Sequence, residues 1–137
     1  MKLPPKLVDA NVILRFFLAD DQSQSERACV FMESLEFGRE EALLTDVIFA
    51  EVVWVLAKVY GVARVEIAAQ FGRVIEFVGV KTVYDKAVFR AALQSYTVCP
   101  ADIQDCLLAA LAGTYKAEVV TFDRKDFKKL GCRFREP

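Results

Sequence analysis

The sequence contains no histidine. That absence excludes Ser/His/Asp and Cys/His nucleophile systems, and any zinc site that depends on imidazole. Cysteine is scarce: Cys29, Cys99, Cys106 and Cys132 form no CxxC pair. Three of them stand among apolar residues, which predicts reduced core thiols rather than a metal site or a disulfide framework. No apolar run approaches the roughly 20 residues that span a bilayer, because Lys58, Arg64, Glu66, Arg73 and Glu76 interrupt the richest region. The opening Met1–Pro5 lacks the long apolar stretch of a secretory signal. An excess of either charge is missing too, with 18 Lys and Arg against 19 Asp and Glu. A net charge of −1 argues against holding nucleic acid by bulk positive charge, and leaves room for a local basic groove. The expectation is a soluble, cytoplasmic protein.

What is present is core material. The 137 residues are 55% hydrophobic and include eleven Phe, which predicts one domain over 1–137 with a packed interior. Lys6–Val8 reads as a short strand ending at Asp9, followed by a helical stretch over 11–18. Ala28, Phe31, Met32 and Leu35 recur at helical spacing within Ser25–Glu36, and Gly38 closes that helix. Ala42–Thr45 is a second strand, with Asp46 as the expected N-cap. Val47–Tyr60 is almost wholly apolar, which predicts a helix buried on most sides, in the core or in a subunit contact. Arg64–Phe77 is amphipathic, Val80–Val83 alternates like a strand, and Tyr84–Tyr96 is helical. Asp102 stands before the helix Ile103–Tyr115. Val119–Phe122 forms a strand ending at Asp123, Arg124–Leu130 a short helix, and Cys132–Phe134 a last strand. This alternation predicts a three-layer α/β/α sandwich around a mostly parallel sheet. Ligands of such sheets sit beyond the carboxyl ends of the strands, where Asp9, Asp46 and Asp123 fall.

Four acids keep unusual company. Asp9 follows Leu7-Val8, Glu51 lies within Ile48–Trp54, Asp105 within Ile103–Leu108, and Asp123 follows Val119–Phe122. A carboxylate among apolar neighbours must reach water, find a partner or take up a proton. No nearby Lys or Arg in sequence pairs with Glu51 or Asp105. Acids converging on one point would need a divalent cation, and oxygen donors without His or Cys select Mg²⁺ or Mn²⁺. Each acid also has a plainer reading. Asp9 and Asp123 suit helix caps or turns, Glu51 could reach past a helix end, and Asp102 could cap with Asp105 as its third-position partner. Asp126 reads as a solvated surface residue, and Asp20, Asp21 and Asp46 as loop or capping groups. Asn11 and Thr121 suit either caps or donors that orient the acids. Arg15, Arg124 and Lys125 suit solvated charge or phosphate contacts.

Jointly, the stretches Leu7–Asn11, Thr45–Glu51, Asp102–Ala110 and Val120–Phe127 resemble the PIN-domain nucleases, most closely the VapC-type toxins of toxin–antitoxin pairs. The Thr-Phe-Asp-Arg-Lys-Asp-Phe segment is the most specific piece. The resemblance implies a metal-binding catalytic quartet at Asp9, Glu51, Asp105 and Asp123, with Asn11 and Thr121 as helpers and Asp102 supporting from behind. It further implies Mg²⁺- or Mn²⁺-dependent hydrolysis of RNA, a homodimer, and a small antitoxin that blocks the acidic site. Asp9, Asp105 and Asp123 would hold the metal; Glu51 would ligate a second ion or orient the water. Ala10 stands where many relatives carry Ser or Thr, and Cys106 where Ala is usual.

Three other readings share the architecture. A receiver-type phosphate-signalling module wants neighbouring acids at the first strand and a Lys at a late strand end, and this chain has neither. A haloacid-dehalogenase-type phosphatase needs an acid two residues after the first Asp, where Asn11 stands. An inactive PIN-like binding scaffold would not need all four acids.

Overall fold

The computed structural model describes residues 6–137, so the Met1–Pro5 stretch considered for a leader lies outside the described residues. The chain divides into two compact units, Met1–Tyr84 and Asp85–Pro137.

In the first unit, α1 (Ala10–Leu18) begins where Asp9 adopts extended backbone and its carboxylate accepts the Ala10 N–H at 2.7 Å. Helix α2 (Gln22–Glu36) starts three residues earlier than its apolar periodicity suggested, because Asp21 caps it by accepting the Gln24 N–H. Next come β1 (Ala42–Leu43), α3 (Asp46–Lys58), α4 (Arg64–Ile75) and β2 (Val80–Lys81). The N-cap of α3 is Thr45, whose hydroxyl accepts the Ile48 N–H at 3.3 Å, and the expected Asp46 is the first helical residue. Strands β1 and β2 pair in parallel, Ala42 opposite Val80 and Leu43 opposite Lys81. Leu7 adds a parallel bridge to Leu43.

The unit's core gathers Ile13, Met32, Leu35, Phe49, Val52 and Phe71, each essentially without solvent contact. Phe71 lies 4.8 Å from Phe49 and 5.6 Å from Phe17 between ring centroids, distances at which tilted and edge-on aromatic pairs attract. Helix α3 buries only Phe49, Val52, Val53 and Leu56. Its other side exposes Val47 (72%) and Trp54 (51%). Within this one chain the core therefore covers one stripe of α3, and the 3.6-residue period turns another apolar stripe to solvent, so core burial alone does not cover most sides of the helix.

Gly79 lies beyond α4, which stops at Ile75 with Glu76 as C-cap, two residues before the Phe77 end that periodicity suggested. It instead lets two backbones meet, donating its N–H to Leu35 O at 2.7 Å and accepting from Ala42 N. A Cβ there would run into the Glu40 carbonyl oxygen and lie 2.9 Å from that of Leu35. Backbone cannot swing aside as a flexible side chain does. Gly79→Ala is expected to cost about 2–3 kcal/mol, read as a lower midpoint in urea unfolding.

In the second unit, α5 (Lys86–Val98) packs along α6 (Ile103–Tyr115). Val88, Phe89, Ala92 and Leu93 of α5 and Cys106, Ala109 and Ala112 of α6 are buried. Asp85 caps α5, so that helix begins later than the Tyr84 start that periodicity suggested. Strand β3 (Val119–Val120), helix α7 (Arg124–Leu130) and strand β4 (Phe134–Arg135) follow, with β3 and β4 parallel.

The architecture is mostly helical α/β with small parallel pairings, and the described strands span two residues each. They are shorter than the apolar runs predicted. Val119–Phe122 shows why: Phe122 is 80% exposed, and pairing stops where the chain turns toward Asp123. Of the four cysteines, all free, only Cys106 is buried; Cys29 is exposed, and Cys99 and Cys132 are half-buried. The prediction of three core thiols is corrected accordingly. Burial still pushes the Cys132 thiol up, away from the reactive thiolate. No helix among the described residues is long and apolar enough to cross a membrane.

Candidate metal centre

Each acid is placed by its local backbone. Asp123 is the N-cap of α7, and its carboxylate accepts the Asp126 N–H at 3.0 Å. Thr121 holds the approach from behind, its hydroxyl accepting the Asp123 N–H at 2.9 Å. A hydroxyl that accepts the backbone N–H two residues on is a turn contact, the cap-or-turn reading of Thr121. Asp126, three residues into the cap, is thereby turned back toward Asp123. Asp105 comes from the first turn of α6. The carboxylates of Asp105, Asp123 and Asp126 each offer an oxygen within 4.8 Å of the others. Asp105 and Asp126 are half-buried and Asp123 is exposed, so the cluster faces solvent on one side.

The electrostatics follow from that crowding. Burial pushes the Asp105 carboxyl above the usual range, and the negative charges of Asp102, Asp123 and Asp126 push it the same way. Asp102 occupies the N-cap position of α6 and makes no side-chain capping bond there. The expected cap is absent, and its carboxylate acts on Asp105 through space. Asp126 is the residue that sequence reasoning missed. Its neighbours Arg124, Lys125, Lys128 and Lys129 made it look like solvated charge. The available signal was the three-residue spacing from Asp123 across a helix start.

The remaining expected residues lie in the first unit. Asp9, exposed, caps α1, and Asn11 is exposed two residues on. Glu51 stands on the outer side of α3, between Val47 one turn before and Trp54 one turn after. Its apolar sequence neighbours point inward, so the carboxylate reaches water rather than a buried partner. Arg15 donates to Asp20 at 2.7 Å and to Gln24 at 3.0 Å. Arg124 pairs with Glu136 at 3.5 Å.

The chain matches the family model for the PIN domain over residues 6–131. It belongs to the PIN-domain family. No curated protein matches the sequence. PIN domains are typically metal-dependent nucleases, and the matched region of this PIN domain runs through both of its compact units.

The PIN-domain cluster fits a divalent cation. Its donors are all carboxylate oxygens, the hard set that suits such ions. Burial first, and then the neighbouring carboxylates, disfavour the charged form of Asp105, a cost that a bound cation would offset. Asp105, Asp123 and Asp126 are the residues that would hold it.

Proposed function

We propose that this PIN domain is a Mg²⁺- or Mn²⁺-dependent endoribonuclease and the toxin of a toxin–antitoxin pair. The observation that carries the reading is the carboxylate cluster of Asp105, Asp123 and Asp126 in a chain that matches the PIN domain over nearly its whole length. In this proposal the chain is one PIN-like α/β/α domain over 1–137, and the quartet that the family resemblance implies, Asp9, Glu51, Asp105 and Asp123, would hold the metal. A bound divalent cation supplies a water of lowered pKa and offsets the charge that builds on the phosphoryl oxygens. Asp105 and Asp123 anchor the centre, the latter fixed by the Thr121 hydroxyl and the Asp126 amide. Glu51, exposed and unburdened by a cap, orients the attacking water or ligates a second ion. Asn11 and Asp102 support the first Asp and Asp105, respectively.

The exposed apolar residues of α3, Val47 and Trp54, support a homodimer, whose test is sedimentation at micromolar concentration. The antitoxin partner and the cytoplasmic setting follow from the VapC-type resemblance of Thr121–Phe127.

The deciding experiment is cleavage of a defined RNA panel with Mn²⁺, with EDTA, and with the Glu51→Gln variant. Cleavage is expected with Mn²⁺ alone, with at least about a hundredfold loss in Glu51→Gln. Equal cleavage in EDTA, or an unimpaired variant, would overturn the proposal.

A further inference from the structure

In the second unit, the segment that carries Asp123 also presents an aromatic ring to water. Phe122, one position before that N-cap, is 80% exposed, the highest value among the large apolar side chains described. Strand β3 ends at Val120, and Arg124 donates its N–H to the Phe122 carbonyl at 3.2 Å, in the turn that leads into α7. The ring has no aromatic partner among the described residues.

Helix α7 supplies charge beside it. Phe127 is buried, so the positions two before and two after it, Lys125 and Lys129, fall on the opposite, outer face. Four residues apart, they are neighbours on that face. Both are exposed, and neither side chain makes an ion pair or hydrogen bond among the described residues. The other charges near them are engaged. Arg124 pairs with Glu136 at 3.5 Å, and Asp123 and Asp126 meet Asp105 in the carboxylate cluster. With those counted, the outer face of α7 keeps two ammonium groups and no carboxylate of its own helix. Unpaired cations favour a polyanion as occupant, and an exposed ring favours one whose bases are free to stack.

We infer that Phe122 stacks a base of single-stranded RNA beside the carboxylate cluster, while Lys125 and Lys129 hold neighbouring backbone phosphates. The inference rests on the nuclease reading, which supplies the substrate. Ring, lysines and cluster all belong to one compact unit. An overall charge of −1 gives the protein no general attraction for a polyanion, so the strand has to be held at a local stripe of this kind.

The test separates binding from cleavage. Binding of a fluorescein-labelled single-stranded RNA of about twelve nucleotides, within the usual site size of single-strand binders, is followed by anisotropy in EDTA, where no cleavage occurs. Phe122→Ala is expected to weaken binding about tenfold and Phe122→Leu about fivefold, whereas Phe122→Trp keeps it within about twofold. Because the ring is exposed, these changes leave the core intact, and lost binding is not lost folding. Combining Lys125→Ala with Lys129→Ala makes the slope of log affinity against log salt shallower by about 1.4, for two phosphate contacts at about 0.7 each. Arg39→Ala removes one positive charge that pairs with Glu33 and leaves affinity and slope unchanged. Stacking has its own signature. In a Trp54→Phe background, Phe122→Trp carries the sole indole, and its emission is quenched as RNA binds. With Mn²⁺ present, Phe122→Ala raises KM and leaves kcat within about twofold, the pattern of lost uniform binding.

If the unmodified protein cleaves RNA while Phe122→Ala and the double lysine variant bind as it does, the inference is overturned. Phe122→Leu binding as tightly as Phe122→Trp overturns it as well, because apolar contact without stacking would then suffice. If binding depends on Phe122 and the two lysines and no cleavage occurs with Mn²⁺, the binding surface stands and the nuclease reading falls. Absence of RNA binding in every variant overturns the inference outright.

Discussion

Asp105→Asn is expected to yield a protein that no longer cleaves RNA and yet melts at a higher temperature in EDTA. Both effects have one origin. The Asp105 carboxyl is pushed above its ordinary value of 3.8 by burial and by Asp102, Asp123 and Asp126. A raised folded-state pKa means that the folded protein binds more protons than the unfolded chain between the two values. Stability therefore falls as pH rises through that window, and above it the ionised group remains a constant cost. Asn keeps the shape and removes the charge. With part of the carboxyl in solvent, relief of like-charge contacts is worth a few tenths of a kcal/mol, or about 1–3 °C in Tm for a chain of this size. The gain should vanish toward acidic pH, where the native carboxyl takes up its own proton. The same substitution removes a metal donor, and cleavage should drop at least about a hundredfold. A variant that loses activity with no rise in Tm in EDTA would indicate that the three carboxylates do not crowd one another in solution. Raising Mn²⁺ should stabilise the unmodified protein and not the variant, since a cation that binds only the folded state shifts its melting by mass action.

The largest stability effect is expected from Phe71→Ala. Phe71 is without solvent contact and touches the rings of Phe49 and Phe17. Truncation removes the transfer energy of the ring and leaves a cavity that neighbouring aromatic rings cannot collapse into, a loss of about 3–5 kcal/mol. Against a total stability of about 5–15 kcal/mol, that is a fifth of the total or more. Denaturant unfolding should show a lower midpoint at an unchanged slope, whereas Phe71→Leu, which refills most of the volume, should recover more than half of the loss. Phe122→Ala provides the contrast: its ring is 80% exposed, and the change should stay within about 0.5 kcal/mol.

Helices were the most legible part of the chain, and α6 shows why. Its thirteen residues, Ile103–Tyr115, lie between the N-cap Asp102 and the αL residue Lys116, and its apolar spacing marks both ends. Capping was less legible. Thr45 and Asp46 are both good caps by type, and only the backbone turn decided that Thr45 bonds the Ile48 amide. Asp21 added a turn to α2 that no apolar residue announced. Strands were overcalled, because an apolar run records burial, while pairing depends on a neighbour that lies far along the chain. Leu7 and Leu43 are such neighbours, thirty-six positions apart and joined by a single parallel bridge.

The sequence alone determined the chemistry open to this protein. With no histidine and no CxxC pair, imidazole chemistry and paired-thiol metal sites are excluded, and the carboxylates offer the hard oxygen donors that suit a divalent cation. That follows from residue types and from the cost of burying charge, which need no coordinates. Tertiary structure decided which oxygens meet. Asp126 enters the cluster where the Asp123 carboxylate caps its N–H at the start of α7, and the charge of Asp102, which makes no side-chain capping bond, acts on Asp105. Attraction and repulsion between charges change over a few ångströms, a scale at which order along the chain says nothing and packing says everything.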